Sequence, residues 1–170
     1  MMPSESELLS YWEPDQLKRW PEELVHKRGF SEEDSEYLSK IGLPRTNDWS
    51  WEIGERVDDL PIVGPSGTLV TVALDTMVVP ICADLSKAGQ IVAMEEVGSF
   101  RFVNSSVRHF GACLYHYRRI AYFDRAQDRK KDFEVFRELL GEIVELDPPA
   151  VAQPETYWSL ILAEITTGMM

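Results

Sequence analysis

Hydrophobic and polar positions follow helical intervals at both ends of the chain and extended runs through its middle. Near the start, SESELLSYW and DQLKRWPEELV carry apolar residues at roughly helical spacing, Leu17, Trp20, Leu24 and Val25 among them, with Pro21 beginning or kinking a segment. SEEDSEYLSKIGLP is better marked. Ser31 with Asp34 makes a capping-box-like start, Gly42 is a natural C-terminal stop and Pro44 blocks continuation, which predicts a helix from about Glu32 to Lys40.

From Trp49 to Asn104 the texture changes to β-branched and aromatic runs punctuated by Gly, Pro and Asp: WSWEIGERV, LPIVGPSGTLVTVALDT, VVPICADLSKAGQIVAMEE and FRFVN. PICADLSKAGQIVAM reads as two strands joined by a turn at Ser86 to Gly89, and strands with such short links pair antiparallel. No helix-length crossover separates the strands, which argues against a parallel, doubly wound sheet.

Helical spacing returns after FRFVNSS. On a helix from about Ser106, the residues Val107, Phe110, Leu114 and Tyr117 form a core face within about 80° of arc. In KDFEVFRELLGEIVEL, Phe133, Phe136, Leu140 and Ile143 make a stripe, ended by Asp147, Pro148 and Pro149. In PETYWSLILAEITTG, Trp158, Ile161, Leu162 and Ile165 fall at i, i+3, i+4 and i+7, between Pro154 and Gly168.

With 170 residues, 44% of them hydrophobic and 27% charged, the chain suits one globular domain, residues 1–30 reading as a peripheral helical extension. Lys and Arg number 17 against 29 Asp and Glu, a formal net charge of -12 that repels phosphate backbones and anionic membrane surfaces and attracts basic partners. Cys82 and Cys113 form no closely spaced disulfide framework, and MMPSESELLSYW lacks a basic region followed by an apolar core. A cytoplasmic location is the resulting expectation.

Little in the sequence points to catalysis. His109, Cys113 and His116 share a helical stripe whose spacing suits metal ligation, but a structural zinc site takes four protein ligands and no further Cys or His pair completes this one. The expected reading is histidines at the border of the core face and a cysteine acting as a small apolar residue. Ser105 or Ser106 beside His109 lacks the Gly-x-Ser-x-Gly elbow of a nucleophile, so Asn104-Ser105-Ser106 reads as the stop of a strand and the cap of a helix. Phosphate-loop, dinucleotide, zinc-protease and calcium-loop signatures are absent, and no cofactor is expected. Asp58 with Asp59 and Glu95 with Glu96 are adjacent pairs, which point to opposite faces of a strand and do not flank a substrate together. Trp49 and Trp51 alternate along an apparent strand and emerge on one face, as core or as interface anchors.

The order of these pieces resembles a known family. Ile41-Gly42-Leu43-Pro44 closing a helix, Ile81-Cys82 and Asp84 followed by Gly89, Phe102-Val103-Asn104-Ser105-Ser106 with Phe110, and the late TYWSLILAEI together resemble the fourth subgroup of the SUKH superfamily of bacterial immunity proteins, from about Tyr37 to Ile165. The resemblance implies an α+β fold, a curved antiparallel sheet of about six strands flanked by N- and C-terminal helices. It also implies no catalysis, and tight binding of a co-encoded polymorphic toxin, often a nuclease or nucleic-acid deaminase. A basic toxin surface suits an acidic partner, and the expected contacts are Trp49, Trp51, Asp58, Asp59, Glu95 and Glu96. The alternative is a regulatory interaction module with an endogenous partner, since related folds occur in eukaryotic cell-wall signalling proteins.

Overall fold

A computed structural model of the chain describes residues 2–47, 51–52, 60–63, 67–75, 79–96, 98–122 and 129–167. Three short helices, α1 (Glu5–Tyr11), α2 (Glu22–Arg28) and α3 (Glu32–Glu36), precede the main sheet. Ser4 caps α1 in a reciprocal box with Glu7, and the Ser31 hydroxyl accepts the Asp34 N–H at the start of α3. α3 continues as a wider turn through Tyr37–Ile41 and stops at Gly42, whose φ is +85°. A Cβ at Gly42 would lie 2.2 Å from the Lys18 carbonyl oxygen, so only glycine lets the two backbones meet.

That contact explains a departure from the helical reading of DQLKRWPEELV. Leu17–Lys18 is a strand, β1, paired antiparallel with β2 (Leu43–Pro44). A residue before proline is pushed out of the helical region, so a helix cannot run through Trp20 into Pro21; α2 begins only after Pro21. Leu8, Trp20, Val25 and Phe30 all enter the main core.

The main sheet contains, among the described residues, β3 (Thr46–Asn47), β4 (Trp51–Glu52), β5 (Ile62–Val63), β6 (Leu69–Asp75), β7 (Pro80–Asp84), β8 (Gln90–Glu96) and β9 (Ser99–Asn104). Its order is β3-β4-β6-β7-β8-β9, every pairing is antiparallel, and β5 shares one edge of β6 with β4. The β7–β8 turn is held by Asp84, whose Oδ1 accepts the Ser86 N–H at 3.1 Å and its hydroxyl at 2.6 Å. Ala88 and Gly89 complete the reversal at positive φ. Side chains alternate across the sheet as a strand demands. Ile81, Ala83, Ile91 and Ala93 face the main core, while Cys82 and Val92 join Leu69 in a smaller cluster.

The C-terminal half supplies α4 (Val107–Tyr117), α5 (Arg129–Leu146) and α6 (Tyr157–Thr167). Val107, Phe110, Leu114 and Tyr117 are buried as expected from their spacing, and so are Trp158, Ile161, Leu162 and Ile165. α5 differs from its expected stripe. Val135, Leu139, Ile143 and Leu146 are buried, Phe136 and Leu140 are half-buried, and Phe133 is exposed. Apolar residues cover more of this helix than the core uses, so spacing alone misplaced the centre of its buried face.

Candidate functional site

The segment FRFVNSSVRHFGACLYHY forms the joint between β9 and α4. β9 ends at Asn104, and Ser106 caps α4, its hydroxyl accepting the His109 N–H at 3.3 Å. Asn104 is fully buried. Its Nδ2 donates to Asp147 Oδ2 at 2.8 Å, and its Oδ1 accepts the Trp158 indole N–H at 2.9 Å. The Asp147 carboxylate also accepts the Ser105 N–H at 2.8 Å and the Ser105 hydroxyl at 2.6 Å. β9, the start of α4, the end of α5 and α6 are therefore tied by one buried polar node, each member satisfied by another. Asp147 was legible in the sequence only as a helix terminator before Pro148; its pairing across 43 residues had no local signal.

The Ser106 hydroxyl also lies 2.8 Å from His109 Nδ1. The same hydroxyl thus caps the helix and meets the ring, and among the described residues no carboxylate hydrogen-bonds His109. The His109, Cys113 and His116 stripe divides. His109 is half-buried and His116 is buried beside Glu142 at 3.5 Å, whereas Cys113 lies fully inside the core and not at its border. Asn104 Nδ2 approaches Cys113 Sγ at 3.4 Å. Burial pushes the Cys113 thiol well above its ordinary range, with the nearby Asp147 adding to the shift and the Asn104 contact opposing it. Cys82 is likewise pushed up by burial, to about 11. Both thiols are therefore protonated near neutrality and poor nucleophiles or metal ligands. Among the described residues, no group of three or more His, Cys, Asp or Glu side chains is placed to hold a metal ion.

A cleft of about 370 Å³ opens between α1 and α3, lined by Ser4, Glu5, Glu33, Glu36, Lys40 and Arg108 among others. Its two cations are engaged, Arg108 with Glu33 and Lys40 with Glu36. Surface pairs of this kind are weak.

Of the expected contact residues, Trp49, Asp58 and Asp59 lie outside the described residues. Trp51 stands in β4 opposite Asp75, the last residue of β6, and Glu95 and Glu96 close β8 before the β8–β9 hairpin. Because β6 and β8 both end at the side of the sheet where β7 and β9 begin, Trp51, Glu95 and Glu96 share one end of the sheet. The Asn104 node occupies the other end. Glu95 is exposed and pairs with Arg101 at 2.6 Å, next to Phe100, which is 44% exposed. Sequence reasoning missed Phe100, which alternation along β9 places on the sheet face opposite Val103.

Among the described residues, no helix is long and apolar enough to cross a membrane. Comparison with curated proteins finds no match for this chain, and comparison with solved structures finds none. A family model described as SUKH-4 immunity protein matches residues 3–164, nearly the whole chain and every helix of the fold except the last three residues of α6. With a match of that extent over a helix-flanked antiparallel sheet, the chain belongs to the SUKH-4 immunity protein family.

Proposed function

We propose that this chain binds a co-encoded toxin, a nuclease or nucleic-acid deaminase, in the cytoplasm and neutralises it stoichiometrically by covering its active site. The observation that carries this reading is the family match over residues 3–164. The net charge of -12 supports a basic partner: a surface that binds phosphate backbones attracts an acidic protein, and the same field keeps this chain off nucleic acid.

The contact set proposed for the toxin is Trp49, Trp51, Asp58, Asp59, Glu95 and Glu96. In support, Trp51 and the Glu95-Glu96 pair share one end of the sheet, with β6 and β7 between β4 and β8. Three strand spacings amount to about 14 Å, which fits inside a standard interface of about 800 Å² per partner.

Co-expression with the toxin domain encoded beside this chain tests the reading. Restored growth, together with a purified one-to-one complex whose association slows as salt rises, is the expected result. Continued killing with no complex would overturn it. Charge reversal of Asp58, Asp59, Glu95 and Glu96 should slow association and flatten its salt dependence; unchanged kinetics would reject this surface while leaving the function intact.

A further inference from the structure

Helix α5 carries more apolar surface than the core takes up. At 100° per residue, its buried side chains Val135, Leu139, Ile143 and Leu146 span roughly 80° of arc. The apolar positions then continue for about another 100°, through Phe136 and Leu140 to Phe133 and Val144. Phe133 and Val144 are 53% and 46% exposed. Phe133 stacks on Phe136 with ring centroids 6.2 Å apart, and the Arg137 guanidinium lies 5.1 Å from the Phe133 ring centre.

Beside this apolar shoulder runs a bank of carboxylates. Glu134, Glu138, Glu142 and Glu145 border, with Arg137 and Gly141, a shallow groove of about 490 Å³. Among the described residues, Arg119 reaches Glu142 at 3.1 Å and Glu138 at 3.8 Å, and His116 lies 3.5 Å from Glu142.

Gly141 lies between the shoulder and the bank. Its φ is not positive, and a Cβ built on it meets nothing within 4 Å. Among the described residues, neither backbone conformation nor packing calls for glycine there, although glycine weakens a helix interior relative to alanine. The missing side chain leaves room for close approach by the backbone of another molecule.

We propose that the outer face of α5 is a docking surface for a basic, amphipathic segment of the toxin. Apolar side chains of that segment cover Phe133 and Val144, its backbone passes over Gly141, and its Lys or Arg side chains reach the glutamate bank. Charge complementarity selects this occupant. A second copy of this chain would set the same carboxylates against one another, and like charges across an interface are costly.

The proposal rests on the immunity reading, and its test separates the two. The full chain, its Glu134→Lys/Glu138→Lys/Glu145→Lys variant and its Gly141→Gln variant are titrated with the neighbouring toxin domain and, separately, with a Leu/Lys amphipathic helical peptide. Both variants are expected to bind both probes at least about tenfold more weakly. Gly141→Gln should at the same time melt at a higher temperature, because glutamine is the better helix former. A variant that folds more stably yet binds less well marks a contact made outside the chain. Toxin binding that is equal in all three proteins overturns the docking surface and leaves the immunity reading standing. Failure of the natural chain to bind toxin overturns the immunity reading and the proposal with it. The docking surface also falls if the peptide binds all three proteins alike, or if sedimentation shows self-association that Gly141→Gln abolishes.

Discussion

The two ends of β9 place similar chemistry in opposite settings. At Asn104 the polar groups are matched, with Asn104, Asp147 and Trp158 buried and Ser105 at the edge: amide to carboxylate, indole to amide, hydroxyl to carboxylate. At Ser99 and Phe100 the side chains are exposed, and the nearest charge pair, Glu95 with Arg101, is partly solvated. Polar residues interrupting an apolar run thus draw attention in a sequence while their bonding capacity is already used up. Spare capacity for a partner lies where apolar and charged side chains reach water together.

The largest effect is expected at Asp147. Asp147→Ala leaves the Asn104 amide and both Ser105 donors without their acceptor and should cost about 3–4 kcal/mol, read as a lower denaturant midpoint at unchanged slope. A loss below about 1 kcal/mol would mean that water replaces the carboxylate and that this end of the sheet is wetter than its burial indicates. Trp158→Phe removes one hydrogen bond and part of a fully buried ring, for an expected loss of about 2–3 kcal/mol by the same measurement. Ser106→Ala removes the α4 cap and should cost about 1 kcal/mol. Glu95→Lys and Phe100→Ser, at the opposite end, should each change stability by less than about 0.5 kcal/mol. If Phe100→Ser unfolds the protein as readily as Ser106→Ala, the contrast between the ends is wrong.

Much of the layout was legible in the sequence because it is encoded locally. The β7–β8 hairpin is set by Asp84 and the Ala88-Gly89 turn, and α3 by Ser31 and Gly42. α6 follows from spacing that one buried face imposes. What escaped local reading depends on distant partners. Leu17 and Lys18 become a strand only because Leu43 and Pro44 lie beside them, and Asp147 becomes a structural acceptor only when β9 arrives. On α5, spacing located a continuous apolar arc but could not divide it between core and solvent, since that division depends on where α4 and α6 pack. The acidic contact set proposed for the toxin rests on composition and adjacency. For Trp51, Glu95 and Glu96 the strand order adds a shared location.

The Asn104 node also has a consequence in time. Its partners stand 43 and 54 residues further along the chain. At a synthesis rate of about 5–20 residues per second, Trp158 leaves the ribosome roughly 3–11 s after Asn104. Through that interval the last strand of the sheet holds a side-chain amide that must stay hydrated, so the strand cannot settle into its final packing until α6 arrives. The node is therefore completed only after α6 has been synthesised, whatever forms earlier.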